Sequence, residues 1–96
     1  MTEKLKRTRG SGNVFTDVGF APDEAGNLLL RAQLMSRIRD VAWGTTQREA
    51  AKQFDVSQPR LNDLMRGKIS KFSLDAPVNM LWHAGMRVEL TVKKAA

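Results

Sequence analysis

The sequence predicts a small, mainly α-helical domain that ends in one β-strand. Apolar residues recur three and four positions apart over residues 22–42, and again in two short runs over 47–66. This is the period of helices with one buried face. Residues 86–93 instead alternate apolar and polar side chains with a period of two, as strands do. We therefore expect four to five helices and then a strand, in one domain over residues 13–96.

The composition favours a binding protein with an anionic partner. The 96 residues carry a net charge of +6, and 42% of them are hydrophobic, which suffices for a modest core. No apolar run approaches the roughly 20 residues that span a membrane. The N-terminus also lacks the apolar stretch of a signal peptide. We expect a cytoplasmic protein with no membrane association.

The residues that would support catalysis are scarce. The chain has no cysteine and one histidine, His83, which argues against disulfides, cysteine metal sites and histidine clusters. His83 lies near a predicted helix end, where a structural role is the simpler interpretation. No glycine-rich phosphate loop is visible. We expect no enzymatic activity, no metal and no cofactor.

The first 21 residues divide into a basic arm and an apolar segment. Residues 1–12 contain four cations, end in Gly10-Ser11-Gly12 and are predicted to be a disordered arm. They are either an unstructured terminus or an arm that contacts DNA or a partner. Residues 13–21 contain four large apolar side chains. We expect them to pack on the domain as an extended strand or a short turn, with contact to a partner protein as the alternative.

A long helix is expected over residues 22–42. Pro22 suits the first turn of a helix, and Gly44 suits a left-handed residue just after its end. The Trp43 side chain is expected to pack into the core or into an interface. One broad face is expected to be buried, formed by Leu28, Leu30, Ala32, Leu34, Met35, Ile38, Val41 and Ala42.

Two short helices joined by a tight turn are the most informative feature of the chain. The pattern predicts them over about 47–54 and 58–66. This is the layout of a helix-turn-helix, whose second helix enters the DNA major groove N-terminus first. The polar residues on the early, outward part of that helix are Gln58, Pro59, Arg60, Asn62 and Asp63.

The helix ends support this layout. Thr46 and Glu49 have the spacing of a capping box at the start of the first helix. Asp55 tolerates the left-handed backbone that the turn requires, although glycine is commoner there. Ser57 suits the N-cap of the second helix.

The last third of the chain is expected to add one helix and the strand. Ser73 is the expected cap of a helix over about 74–84, with Trp82 among its inward side chains. A lone strand over residues 86–93 cannot satisfy its own backbone groups, so it needs a mate. Either residues 13–20 pair with it, or the same strand of a second copy does. The second option makes a two-fold dimer held by Met86, Val88, Leu90 and Val92.

Taken together, these residues resemble the Xre/Cro-like helix-turn-helix proteins, and among them the HigA-type antitoxin group. The resemblance covers residues 12–93. Thr-Gln-Arg-Glu-Ala-Ala at 46–51 and Val-Ser-Gln-Pro-Arg-Leu at 56–61 are typical of the superfamily. Gly-Asn-Val-Phe at 12–15 and Phe-Ser-Leu at 72–74 point to the subgroup.

The resemblance implies a lambda-repressor-like fold, a homodimer and a double-stranded, palindromic DNA operator. Arg60 can then donate two hydrogen bonds to guanine O6 and N7, and Gln58 can form a hydrogen-bonded pair with adenine N6 and N7. For each base-facing residue the alternative is a solvated side chain on a surface helix. Thr45 and Asp55 depart from the family, which usually has Leu and Gly there. Phosphate contacts are expected from Gln47, Lys52, Ser57, Arg66, Lys68 and Lys71.

Three functions follow from these interpretations. Members of the group are bacterial or phage repressors, and many are antitoxins that bind a RelE-like messenger-RNA-cleaving toxin and repress their own operon. The leading prediction is therefore a repressor that is also the antitoxin of a type II pair. A phage or chromosomal repressor without a toxin is the first alternative. A protein-interaction module on the same scaffold, which reads no DNA sequence, is the second.

Overall fold

The structure is a computed structural model that describes residues 13–94. The predicted basic arm, residues 1–12, lies outside this range. Within it, the chain forms five α-helices and one 3₁₀ turn. They are α1 (Val14–Asp17), α2 (Pro22–Ala42), α3 (Gln47–Phe54), α4 (Gln58–Met65), the 3₁₀ turn Ile69–Lys71 and α5 (Asp75–His83). None of these helices is both long and apolar enough to cross a membrane.

The long helix α2 begins and ends where the sequence predicts. Pro22 occupies its first turn, and Gly44 follows its end with a φ of +87°. The Thr45 hydroxyl donates a hydrogen bond to the carbonyl of Ala42, which satisfies one of the free carbonyls of the last turn. Thr45 is exposed and therefore does not occupy the core position that a leucine would fill.

The segment before α2 is helical, so the expectation of an extended strand there is wrong. Asn13 caps α1 by accepting a hydrogen bond from the backbone N–H of Phe15, and its amide donates to the carbonyl of Ala25. These bonds fasten α1 to the start of α2. The Phe15 and Phe20 rings meet edge to face, with centroids 6.1 Å apart. The segment is thus a short helical turn held to α2, but it packs on the domain only in part, since Val14, Val18 and Phe20 are 60%, 67% and 41% exposed.

The core lies where α2, α3, α4 and α5 meet. Each helix turns one apolar face inward, because apolar residues three and four apart lie on the same side of a helix. Phe72, just after the 3₁₀ turn, closes the core from one side with 1% of its surface exposed. The central buried residues are Met35, Ile38, Ala42, Ala50, Ala51, Phe54, Leu61, Leu64, Phe72, Met80 and Leu81.

Residues 13–94 form no β-strand, so the predicted strand over 86–93 is not formed in the single chain. The alternation of side chains is present, but a strand needs a mate. The intramolecular candidate, residues 13–20, is occupied by α1. Met86, Val88, Leu90 and Val92 consequently remain 39%, 40%, 79% and 83% exposed.

Four other expected positions also differ. Leu30, on the expected buried face of α2, is 44% exposed. Trp43 and Trp82 are 84% and 66% exposed and do not plug the core. Trp43 follows the last residue of α2, where the chain has already turned away, and Trp82 points outward beside buried Leu81. Leu74, not Ser73, is the N-cap of α5, and the Ser73 hydroxyl donates instead to the Asp75 carboxylate. That hydrogen bond lowers the pKa of Asp75.

Candidate nucleic-acid interface

The ends of α3 and α4 are built as the sequence predicts. The Thr46 hydroxyl accepts a hydrogen bond from the Glu49 N–H, and the Ser57 hydroxyl accepts one from the Arg60 N–H. Asp55 ends α3 in the left-handed conformation, with φ +58° and ψ +49°. This residue reverses the chain between the two helices. The two capped ends and the left-handed turn set the angle at which α4 leaves α3.

The two helices are locked together through small and apolar side chains. Ala50, Phe54, Leu61 and Leu64 are each no more than 1% exposed. At the surface, the Gln47 amide lies 3.4 Å from the Asn62 side-chain oxygen, so the start of α3 also contacts the outer side of α4. The predicted phosphate-contacting Gln47 and the predicted base-contacting Asn62 are thus brought together.

The outward face of α4 carries the predicted base-contacting residues. With 3.6 residues per turn, Pro59, Asn62 and Asp63 lie opposite the buried Leu61 and Leu64. Their flanks on the helix are occupied by the exposed Gln58 and Arg60. The five residues therefore share the outward side of the helix: Gln58, Pro59 and Arg60 are exposed, whereas Asn62 and Asp63 are partly covered by neighbouring side chains.

Arg60 lies at the edge of this face, turned toward the 3₁₀ turn. Its guanidinium carbon is 4.4 Å from the centroid of the Phe72 ring, and Nη1 donates to the Lys71 carbonyl over 3.3 Å. The flat guanidinium therefore stacks on a core aromatic. Two contacts fix the direction of a side chain that would otherwise sample many rotamers.

Asp63 lies between two lysines that the sequence assigned to phosphate contact. Its carboxylate oxygens are 3.4 Å from Lys68 Nζ and 3.5 Å from Lys71 Nζ. Partial burial alone would raise the pKa of Asp63, but hydrogen bonds and charge attraction from Lys68 and Lys71 outweigh it and lower the pKa. Asp63 is therefore ionised near neutral pH. It compensates two of the cations beside the outward face of α4.

The other predicted phosphate-contacting residues border α4. Lys52, Ser57 and Gln58 line a shallow surface depression between α3 and the start of α4. The dipole of α4 favours an anion at this end, but Pro59 has no N–H and the Arg60 N–H already donates to the Ser57 hydroxyl. Arg66 caps the other end of α4 and is exposed.

Arg31 is a supporting residue that the sequence analysis missed. From α2, its Nη1 donates to the carbonyls of Phe72 and Ile69, over 2.9 and 3.3 Å, while Nε donates to Asn27. Arg31 thereby fastens the 3₁₀ turn that carries Lys71 and supports Arg60. An Asn four residues before an Arg on one helix face was the available signal, but it does not reveal the distant carbonyls.

The comparison with known proteins agrees with this geometry. A family model described as a helix-turn-helix domain matches residues 14–93, a range that includes all five helices. A search of curated proteins finds no match to the chain. The capped α3–α4 pair and the family match lead to the same conclusion: the chain belongs to the helix-turn-helix domain family and carries a DNA-binding helix-turn-helix.

Proposed function

We propose that the protein is a sequence-specific transcriptional repressor that binds a palindromic operator as a homodimer. The observation that carries this proposal is the polar outward face of α4, with Arg60 oriented at its edge by Phe72 and Lys71. Cations on both sides of this face supply attraction for phosphates, and this attraction weakens with salt. One recognition helix reads few bases, so a second copy is needed for a site of useful length.

Base reading is assigned to Arg60 and Gln58 in this proposal. A bidentate contact from an arginine to guanine is worth about 1–3 kcal/mol of discrimination against the wrong base. Asn62 and Asp63 lie within the same face, with Asn62 braced by Gln47. Asp63 suits a cytosine amino group, provided that its lysine partners turn toward the phosphates.

The first experiment is binding to the DNA upstream of the protein's own gene, compared with scrambled DNA at one fixed salt concentration. The variants are the wild type, Arg60→Ala and the control Lys94→Ala, which removes one positive charge outside the helix-turn-helix. We expect the wild type and Lys94→Ala to prefer the upstream DNA, and Arg60→Ala to lose about tenfold or more of that preference.

A different outcome would favour the interaction module. Equal binding to both DNAs, abolished by salt and unchanged by Arg60→Ala, describes a basic surface without base reading. In that case the exposed apolar segments at residues 14–20 and 86–92 become the leading contact surfaces for a protein partner.

Within the repressor proposal, we propose the role of antitoxin to a RelE-like toxin. The support is the resemblance at residues 12–15 and 72–74 described above. The alternative is a phage or chromosomal repressor that has no toxin. A neighbouring reading frame that encodes a small basic protein is the first discriminator. Co-expression with the neighbouring protein then tests the antitoxin role. A neighbour that binds the chain and whose messenger-RNA cleavage is thereby inhibited supports the antitoxin. A neighbour that neither binds the chain nor cleaves messenger RNA supports the repressor without a toxin.

A further inference from the structure

The segment after α5 follows the rim of an apolar groove. One wall of the groove is α2, with Leu30, Leu34 and Val41, and the other includes Leu81 of α5. Residues 86–90 line the same groove. Met86 and Val88 are 39% and 40% exposed, whereas the side chains of the neighbouring Arg87 and Glu89 are 73% and 76% exposed. The segment thus turns Met86 and Val88 partly toward the domain, and it leaves Leu90 and Val92, on the same side of the alternation, 79% and 83% exposed.

The backbone of this segment is available for pairing. Met86 donates its N–H to the Leu81 carbonyl, but residues 87–93 make no backbone–backbone hydrogen bond with any other described residue. A segment with alternating side chains and unpaired backbone N–H and C=O groups is a template for a second strand. The remaining question is which strand fits it.

We propose that the second strand is the same segment of another copy, antiparallel and centred on Val88. This inference rests on the homodimer of the proposed function and specifies its contact. In this register Val88 lies opposite Val88 of the other copy, and Met86 lies opposite Leu90. On the outer face, Arg87 lies opposite Glu89, so that two oppositely charged pairs form around the two-fold axis.

The charges select this register among the neighbouring ones. Pairing centred on Arg87 or on Glu89 places two identical charges opposite each other, and pairing centred on Leu90 places Arg87 opposite Lys93. Parallel, in-register pairing places Arg87 opposite Arg87 and Glu89 opposite Glu89 of the other copy. Like charges directly opposite are destabilising.

Apolar matching excludes a register that charge alone would allow. Pairing centred on Thr91 places Glu89 opposite Lys93, but it puts Val88 opposite Lys94 and Met86 opposite the small Ala96. A register shifted by one residue is also unsuitable, because it places apolar side chains on the same face as charged ones. The register centred on Val88 satisfies both faces and covers Leu90, which is 79% exposed in the single chain.

Single cysteines test the register directly, because the natural chain has none. Directly opposite residues in an antiparallel pair have Cα atoms about 4.5–5.5 Å apart, within the range of a disulfide. We expect the full chain with Val88→Cys to form a covalent dimer under mild oxidation. Leu90→Cys and Thr91→Cys should not, since the two Leu90 positions would be about 14 Å apart. A urea-denatured sample of each variant gives the background rate.

Charge exchange provides a second test that does not depend on a cysteine. Arg87→Glu and Glu89→Arg should each weaken dimerisation roughly fivefold or more, measured by sedimentation. The double variant Arg87→Glu/Glu89→Arg should recover it. An equimolar mixture of the two single variants should form a heterodimer, even though each single variant has like charges within its own strand. Lys94→Ala is the matched control and should dimerise like the wild type.

The outcomes separate this inference from the proposed function. Crosslinking at Leu90 or Thr91 instead of Val88 would overturn the register and leave the dimer intact. A chain that sediments as a monomer and crosslinks at none of these positions would overturn both the register and the homodimer. Base reading is judged independently by the Arg60→Ala comparison. If the segment instead pairs only with a co-expressed protein, the inference of a second copy is wrong.

Discussion

The guanidinium carbon of Arg60 lies 4.4 Å from the centroid of the Phe72 ring. One member of this pair is exposed on the face expected to meet DNA, and the other is 1% exposed in the core. The hydrogen bond from Arg60 to the Lys71 carbonyl adds a second restraint. The orientation of the exposed arginine therefore depends on the packing of a buried ring and on the turn that precedes it.

Phe72→Leu is expected to weaken operator binding about two- to fivefold beyond any loss of stability. The substitution keeps an apolar side chain but removes the ring, and an exposed cation–π contact is worth about 0.5–1 kcal/mol. Without the ring, more side-chain entropy is lost when Arg60 binds. The measurement is operator affinity at a temperature at which the variant is fully folded.

Phe54→Leu is the control for this substitution, because Phe54 is equally buried but belongs to α3. Phe54→Leu should lose about as much stability as Phe72→Leu but little of its affinity for the operator. In an Arg60→Ala background, Phe72→Leu should cause no further loss of affinity. Equal losses in both backgrounds would show that Phe72 acts through general stability.

Asp63→Asn is expected to increase affinity for scrambled DNA. The change removes an anion from the interface and releases Lys68 and Lys71, which lie 3.4 and 3.5 Å from the carboxylate. Each additional phosphate contact steepens the slope of log K against log salt by about 0.9. We expect the slope to steepen by about 1–2, measured between low and moderate salt.

The matched control is Asp40→Asn, which removes one exposed carboxylate from α2 instead. It should raise the affinity slightly through the net charge and leave the salt slope unchanged. If Asp63→Asn behaves in the same way as Asp40→Asn, the two lysines already contact phosphate in the wild type.

Acid should remove the stabilisation that Asp63 provides. The lysines lower the pKa of Asp63 in the folded chain below its unfolded value of about 3.9. A lowered folded pKa means that the stabilisation is complete above the unfolded pKa and is lost as the pH falls through the folded pKa. The measurement is the free energy of unfolding in urea from pH 6 to pH 3. It should be larger for the wild type than for Asp63→Asn at pH 6, and the difference should shrink below about pH 4. A difference that grows with acid would contradict this assignment.

Asp55→Gly is expected to stabilise the domain by about 0.5–1 kcal/mol. Asp55 has a φ of +58°, which glycine adopts without steric cost. Its carboxylate also lies at the negative end of the α3 dipole. The glycine variant loses the contact between Asp55 and His83, which are 3.7 Å apart. Both side chains are exposed, so this loss offsets little of the expected gain in stability.

The measurement is the melting temperature, which should rise by about 2–8 °C in a domain of this size. Gln53→Gly is the control, since it places glycine at an exposed position inside α3 and should destabilise by about 1 kcal/mol. A lower melting temperature for Asp55→Gly would show that the contact to His83 matters more than the backbone conformation.

Local signals were sufficient for most of the fold. The bounds of α2, α3 and α4, the caps at Thr46 and Ser57, and the left-handed Asp55 agree with the structure. A cap and the first turn of a helix involve only residues within about four positions, so their energetics are determined by adjacent sequence. The clustering of the polar residues on the outer half of α4 follows from helical spacing alone.

The long-range contacts that support the candidate interface could not be predicted from local sequence signals. Arg31 and Phe72 are 41 residues apart, and Arg60 and Lys71 are 11 apart. Nothing in the spacing of such residues indicates that a side chain from one helix reaches a carbonyl of a distant turn. The exposed positions of Trp43 and Trp82 were missed for a related reason, since apolar character does not tell where a helix end points.

The sequence by itself determined α2 to α5, the caps at Thr46 and Ser57, the turn between α3 and α4, and the alternation of residues 86–93, because each depends on neighbouring residues. Only the tertiary structure decided that Arg60 rests on Phe72, that Asp63 contacts two lysines, and that residues 86–93 form no helix or strand in the single chain. The physical reason is that a side-chain contact or a strand pair requires a partner brought close by packing. For residues 86–93, no described part of the same chain supplies that partner.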